Sequence, residues 1–157
     1  MQRLNLPTYS FNIKSDVKGE QIFDKCRNKW VSLTPEEWVR QHLLQYFINE
    51  LNYPVSLVAT EMSIQIHGLS RRCDIVVFNR KAMPVLIAEC KAPIIPLNQK
   101  VFDQVSRYNY DMKVPYLLIS NGLKHYCAKI DTENNKVELL DKFPDYSVLD
   151  NHSSDDN

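Results

Sequence analysis

One segment between two prolines, residues 84–93 (PVLIAECKAP), restricts the possible folds of this chain more than any other. Its continuous apolar run is typical of a strand covered on both faces, so we expect residues 84–92 to form a central strand. A central strand needs neighbours on both sides. The sequence has further strand patterns at residues 55–67, 72–78, 115–120, 124–130 and 136–140.

Two helices are predicted around these strands. Thr34 precedes Pro35 and stands three residues before Glu37, which is the pattern of an N-cap, a first-turn proline and a capping box. This helix should end at residues 52–54, and a second helical pattern covers 98–113. The order helix, three strands, helix, strand, followed by extra C-terminal strands, predicts an α/β fold with a mixed central sheet flanked by two helices.

The composition is that of one ordinary globular domain. The chain has 157 residues, of which 44% are hydrophobic. No apolar run approaches the roughly 20 residues that cross a bilayer, and no signal peptide is visible, so we expect a cytoplasmic protein without membrane partners. Residues 141–157 contain five Asp and one Lys. We therefore predict a domain over residues 1–143 and a disordered acidic tail over 144–157.

Several classes of enzyme are excluded by what the sequence lacks. Three glycines in the whole chain cannot build a phosphate-binding loop or a dinucleotide-binding turn. There is no GxSxG motif. The four cysteines form no CxxC pair, so a zinc site is not expected and free, buried thiols are.

Glu89 and Lys91 are anomalous in a central strand, because burying charged groups is costly unless each is paired. A hairpin with its loop at 80–83 pairs Phe78 with Val85 and sets Asp74 directly opposite Glu89, with Cβ atoms about 4.5 to 5.5 Å apart. Two such carboxylates need a cation or a shared proton between them, and hard oxygen ligands suit Mg²⁺. The alternative is a structural Glu89–Lys91 ion pair on an edge strand, with Asp74 capping a turn.

These residues resemble a known family. Asp74 followed by Glu89-Cys90-Lys91 on an apolar strand is similar to the motif of the PD-(D/E)xK nuclease superfamily. Residues 29–140 as a whole resemble the N-terminal nuclease domain of type I restriction enzyme R subunits, although Cys73 stands where many superfamily members have proline. The resemblance implies that Asp74, Glu89 and the Cys90 carbonyl hold Mg²⁺, with Mn²⁺ as a substitute, and that Lys91 assists catalysis.

The resemblance also implies residues outside the central motif. Glu37 is the candidate for a first-helix metal ligand, with a capping-box role as its alternative. Gln104 and Tyr108 match the QxxxY spacing of several nuclease branches, although Tyr108 is also a credible core residue. Three arginines are candidates for contacts to nucleic-acid phosphates: Arg71, Arg72 and Arg107.

We therefore expect Mg²⁺-dependent hydrolysis of DNA in restriction or DNA processing. In type I restriction enzymes such a domain is followed by a motor and works with modification and specificity subunits, and many nucleases of this fold act as homodimers. One alternative is a non-catalytic nucleic-acid-binding or assembly module with the same fold. Another is a metal-free protein-interaction domain.

Overall fold

A computed structural model describes residues 1–66 and 68–151, without the side chains of Ile66 and Tyr108. These residues contain two sheets and three α-helices. The strands are β1 (Ile13–Asp16), β2 (Gly19–Asp24), β3 (Lys29–Ser32), β4 (Val58–Ile66), β5 (Leu69–Phe78), β6 (Pro84–Cys90), β7 (Tyr116–Ser120), β8 (His125–Asp131) and β9 (Lys136–Leu140). The helices are α1 (Pro35–Asn49), α2 (Gln99–Met112) and α3 (Tyr146–Asn151).

The main sheet has six strands in the order β4-β5-β6-β7-β8-β9. Only β6 and β7 run parallel, and α2 connects them, so the sheet is mixed as predicted. The first three strands form a separate antiparallel sheet. Strand β6 is the third of six and is buried along most of its length, which agrees with its predicted central place. The alternative of an edge strand is wrong.

Helices cover both faces of the main sheet. Apolar residues of α1 and α3 pack on one face, as shown by Phe47 and Leu149, which are fully buried with Leu118 of β7. Helix α2 packs on the other face, where Phe102 lies with Leu117. Burial of these two apolar layers is the main stabilising term of the fold.

The start of α1 is fixed by its predicted cap. The N–H of Glu37 donates to Oγ1 of Thr34 at 3.1 Å, and Pro35 occupies the first turn. The capping box is not closed, because the Thr34 N–H donates to the Ser32 carbonyl at 3.2 Å. The side chain of Glu37 is therefore available for other partners.

The register of β5 and β6 follows the prediction except at the hairpin. Ile75, Val76 and Val77 pair with Ala88, Ile87 and Leu86, as expected. The predicted pair of Phe78 with Val85 is wrong, because an irregularity between Val77 and Phe78 pairs Phe78 with Pro84.

The C-terminal stretch differs from its prediction. Residues that the sequence analysis expects to be disordered form α3, in which Tyr146 and Leu149 are buried. The N–H of Tyr146 donates to the Leu51 carbonyl at 3.0 Å, and Tyr53 donates to the Pro144 carbonyl at 2.7 Å. The predicted tail beyond residue 151 lies outside the described residues. No helix within the described ranges is long and apolar enough to cross a membrane.

Candidate active site

The candidate site lies where β5 and β6 stop pairing. Their ladder ends at Ile75 and Ala88, so Asp74 and Glu89 come next in the same register. The N–H of Cys90 donates a 2.7 Å hydrogen bond to Oδ2 of Asp74. A side-chain oxygen of Asp74 thus accepts a strand N–H, which fixes this carboxylate beside β6.

Asp74 and Glu89 are neighbours in the register of β5 and β6 and interact electrostatically. Burial and the neighbouring Asp74 carboxyl group raise the pKa of Glu89 to about 8, although Arg71 and Lys91 act in the opposite direction. Two carboxyl groups this close do not both ionise readily. Without a metal, Glu89 therefore keeps its proton to a higher pH than an ordinary glutamate does.

Arg71 is the hydrogen-bonding partner of Glu89. Its Nη2 lies 2.6 Å from Oε1 of Glu89, and its Nη1 donates to Oδ1 of Asn109 at 2.7 Å. The Arg71 and Glu89 side chains are each only 13% exposed. Arg71 therefore joins β5, β6 and α2 at the site.

Arg40 of α1 supplies positive charge beside Asp74. Its Nη2 lies 3.6 Å from Oδ1 of Asp74, while its Nη1 lies 3.0 Å from Oε2 of Glu37 and 2.8 Å from Oε1 of Glu61. Burial alone would lower the pKa of this guanidinium, but the surrounding carboxylates outweigh it and raise that pKa. Arg40 is therefore held as a cation inside the protein.

Glu61 has a left-handed backbone, with φ +52°, in the middle of β4. It occupies the position opposite Asp74, and the ladder between β4 and β5 skips these two residues. In a regular strand the two carboxylates would face each other across the ladder. Glu61 instead contacts Arg40 and also Arg72, whose hydrogen bond lowers the pKa of Glu61.

Lys91 lies next to the carboxylate pair. Its N–H donates to the Ser120 carbonyl at 2.8 Å, which extends the pairing of β6 and β7 by one residue. Its ammonium opposes the pKa increases of both Glu89 and Glu36. The structure thus brings the three residues of the predicted motif, Asp74, Glu89 and Lys91, to one place.

Glu37 points inward as the sequence predicts, but it contacts arginines and a glutamine and not the Asp74–Glu89 pair. Its carboxylate pairs with Arg27 and Arg40 and accepts a 3.1 Å hydrogen bond from Nε2 of Gln41. Arg40 contacts both Glu37 and Asp74, so Glu37 is placed behind the guanidinium and is not a direct neighbour of the carboxylate pair. The α1 carboxylate that interacts with Asp74 is Glu36, whose pKa is raised by burial and then by the charge of Asp74.

The predicted nucleic-acid contacts are distributed unevenly. Arg71 is part of the site, and Arg72 lies at its edge, 66% exposed and paired with Glu61. Gln104 and Arg107 are exposed on α2. Within the described residues, no contact joins these two to the carboxylate pair. The side chain of Tyr108 lies outside the described residues.

The donor set fits the divalent cation that the sequence resemblance implies. Mg²⁺ usually takes one or two carboxylates and keeps several waters. Asp74 and Glu89 are adjacent and largely buried, and a cation would displace the proton that burial favours on Glu89. The described part of the chain holds no cluster of three or more His, Cys, Asp or Glu side chains suited to a metal. Such a site would therefore depend on these two carboxylates, the backbone and water.

Comparisons with known proteins place this site in a family. The family model "Type I restriction enzyme R protein N terminus (HSDR_N)" matches residues 35–144. The chain belongs to this family. Its structure is similar to a fragment of a putative HsdR subunit of a type I restriction enzyme from Vibrio vulnificus YJ016, with a TM-score of 0.51 and 18% identity. The match covers 74% of this chain but only 24% of that one. A search of curated proteins gives no match.

The family match contains the whole candidate site and excludes the three-stranded sheet of β1, β2 and β3. It also contains four side chains that the sequence analysis did not select: Glu36, Arg40, Glu61 and Asn109. Asn109 could have been found, because it is a polar residue on the inward face of α2 between apolar residues. Arg40 and Glu61 gave no such signal, because their importance depends on contacts between α1 and β4.

Proposed function

We propose that this member of the HSDR_N family is a metal-dependent nuclease domain of the PD-(D/E)xK type that hydrolyses phosphodiester bonds in DNA. The observation that carries the proposal is the pairing of Asp74 with Glu89 beside Lys91. Two carboxyl groups held together against their repulsion suit a cation site. A structural ion pair would need only one of them.

In this proposal Asp74, Glu89 and the backbone carbonyl of Cys90 hold Mg²⁺. The ion supplies Lewis acidity for water activation and for the charge that develops on the phosphate. The protein contributes orientation. The Cys90 N–H fixes one oxygen of Asp74, and Arg71 fixes one oxygen of Glu89.

Lys91 has a separate role in the proposed reaction. Its ammonium acts on Glu89 and Glu36 and would therefore lie close to a phosphate group bound at these carboxylates. From there it donates a hydrogen bond to the attacking water or to a phosphate oxygen and stabilises the additional negative charge of the transition state. An arginine on the same side, Arg71, adds positive charge for the phosphate.

The proposed substrate and partners rest on the family. The similar structure is described as an HsdR subunit fragment, and this chain spans about a quarter of its length. We propose DNA as substrate and subunits of a restriction system, including a motor, as partners. Association with such partners would supply target choice.

Plasmid cleavage tests the proposal. The purified protein should nick or linearise supercoiled plasmid with Mg²⁺ or Mn²⁺ and lose this activity in chelator. Glu89→Ala and Lys91→Ala should each abolish cleavage while the protein stays folded. Glu138→Ala and Lys136→Ala, on exposed positions of β9, are matched controls that should cut normally.

Two results would separate the alternatives. If Lys91→Ala cuts as fast as the parent, the proposed mechanism is wrong. If the parent binds DNA in a salt-sensitive manner but never cuts it with either metal, the domain is a binding module rather than a nuclease.

A further inference from the structure

Asn109 is a fully buried polar residue on an otherwise apolar helix face. It is 0% exposed, and its inward neighbours on α2 include Phe102 and Met112. A buried amide destabilises the fold when its polar atoms are not hydrogen-bonded. Packing alone would therefore favour an apolar residue here.

The amide makes one hydrogen bond within the described residues. Its Oδ1 accepts from Nη1 of Arg71 at 2.7 Å, and its Nδ2 has no partner there. The Nδ2 group of the amide is thus left without a hydrogen bond. The hydrogen bond that Oδ1 accepts from Arg71 is therefore the reason for an asparagine at this buried position. An arginine could not be held in this way by a leucine of similar size.

Arg71 transmits this contact to the candidate metal ligand. Its Nη1 is bound to Asn109 on α2, and its Nη2 is bound to Oε1 of Glu89 on β6. The guanidinium is planar, so fixing both terminal nitrogens also fixes the plane of the group. Glu89 Oε1 then has one defined partner, and Oε2 is the oxygen that remains for a cation shared with Asp74.

We propose that Asn109 is a positioning residue that acts through Arg71 to orient Glu89. The inference rests on the proposed function for the identity of the bound cation, but not for the arrangement of the three side chains. This positioning role differs from a purely structural role of Asn109 in one respect. Loss of the amide oxygen should release the Arg71 side chain and weaken metal binding in protein that is still fully folded.

Two substitutions of Asn109 isolate the oxygen atom. Asn109→Leu removes the acceptor and keeps a similar volume. Asn109→Asp keeps an oxygen that accepts a hydrogen bond from Arg71 and replaces the unpaired Nδ2 donor by a second oxygen. Asn49→Leu, at an exposed position of α1, is the matched control. Should Asn109→Leu fail to fold, Asn109→Ala removes the same oxygen without adding apolar bulk beside Arg71.

The first measurement needs no metal. The ¹⁵N heteronuclear NOE of the Arg71 Nε–H group reports how rigidly the side chain is held. It should be high in the parent, in Asn109→Asp and in Asn49→Leu, and much lower in Asn109→Leu or Asn109→Ala. An Arg71 side chain that stays rigid without the Asn109 oxygen overturns the inference.

The second measurement is calorimetric titration with Mn²⁺. Loss of an outer partner of a metal ligand typically weakens affinity about 10- to 100-fold, and we expect at least the lower figure for Asn109→Leu. Asn109→Asp should bind as tightly as the parent or more tightly. Equal affinity in the parent and a folded Asn109→Leu variant also overturns the inference. If the parent itself binds no Mn²⁺, the proposed function fails, and the NOE measurement alone decides whether Asn109 holds Arg71 on Glu89.

Discussion

Replacing Glu89 by Gln should stabilise the metal-free protein at neutral pH, although it should weaken cation binding at the proposed site. The amide has nearly the same shape as the carboxyl group but carries no negative charge beside Asp74. In the parent, Glu89 holds its proton to a pKa of about 8. The folded state therefore disfavours the charged form of this side chain, and the substitution removes that penalty.

The sign and size of the effect follow from the pKa. The pKa of Glu89 is raised from 4.5 in the unfolded chain to about 8 in the folded protein. The stabilisation from its bound proton is complete below the unfolded value and is lost as pH rises through the folded value. One pKa unit is worth ~1.4 kcal/mol, so raising the pH from about 5.5 to about 7.5 should cost the parent about 2 kcal/mol at this position.

Urea unfolding in chelator at several pH values measures this dependence. The difference in unfolding free energy between Glu89→Gln and the parent should grow by about 2 kcal/mol across that range in favour of the variant. The control Glu138→Gln should follow the parent at each pH. A constant difference between Glu89→Gln and the parent would refute the reasoning, because it would mean that Glu89 ionises equally well in both states.

Substitutions at four further positions test other interactions. Asp74→Asn should raise the melting temperature in chelator by removing the same repulsion, and an unchanged or lower value would contradict this. Asp24→Asn should lower the unfolding free energy in urea at pH 7 by about 3 kcal/mol, because it breaks a buried ion pair. Burial raises the pKa of Asp24, but hydrogen bonds from Arg27 outweigh it and hold this pKa below its ordinary value. The ion pair therefore stabilises the protein above about pH 4. The loss of unfolding free energy in Asp24→Asn should shrink as the pH falls below that value. Thr34→Ala should cost about 1 kcal/mol in the same urea assay through loss of the helix cap, whereas Thr34→Ser should cost much less. Glu61→Gln should weaken the hold on the guanidinium beside Asp74 and lower Mn²⁺ affinity in calorimetry, and an affinity equal to that of the parent would contradict the role of this contact.

The helices and the central strands could be predicted because their signals are local. Thr34 acts as the predicted N-cap of α1, with a side-chain oxygen that accepts from Glu37. Helix α2 begins within one residue of its predicted start, where the side chain of Asn98 accepts from Val101. The predicted register of the hairpin between β5 and β6 is wrong by one residue at Phe78, which pairs with Pro84 and not with Val85. There, the Asn79 side chain accepts two backbone N–H groups of the loop and sets a tighter turn than loop length alone implies.

Helix α3 could not be predicted, because its stability comes from distant residues. Six residues in an acidic stretch are too short to form a helix alone. Leu149 is fully buried against the core, and the N–H of Tyr146 bonds to the Leu51 carbonyl at the end of the α1 region. The composition of this stretch is polar, and it does not show where the side chains of Tyr146 and Leu149 pack.

The adjacent carboxylates of the site were predictable from the sequence, whereas the position of Arg40 was not. Strand periodicity and hairpin register are enough to bring Asp74 next to Glu89. Helical periodicity correctly placed Glu37 inward, but it could not show that Arg40, one turn later, would lie between Glu37 and Asp74. The choice of Gln104 rested on spacing in a motif, whereas burial on α2 selects Asn109.

The two arginines explain how such a site can fold before any cation arrives. Glu89 is paired with Arg71 at 2.6 Å, whereas Arg40 stays 3.6 Å from Asp74, beyond hydrogen-bond distance. Each guanidinium is anchored by a second residue from another element, Asn109 for Arg71 and Glu61 for Arg40. Because these anchors hold the arginines in place, the positive charge lowers the cost of burying the carboxylates without filling the space between them. A cation at the proposed site would displace the proton of Glu89, while Arg71 would keep its hydrogen bond to Oε1 of that residue.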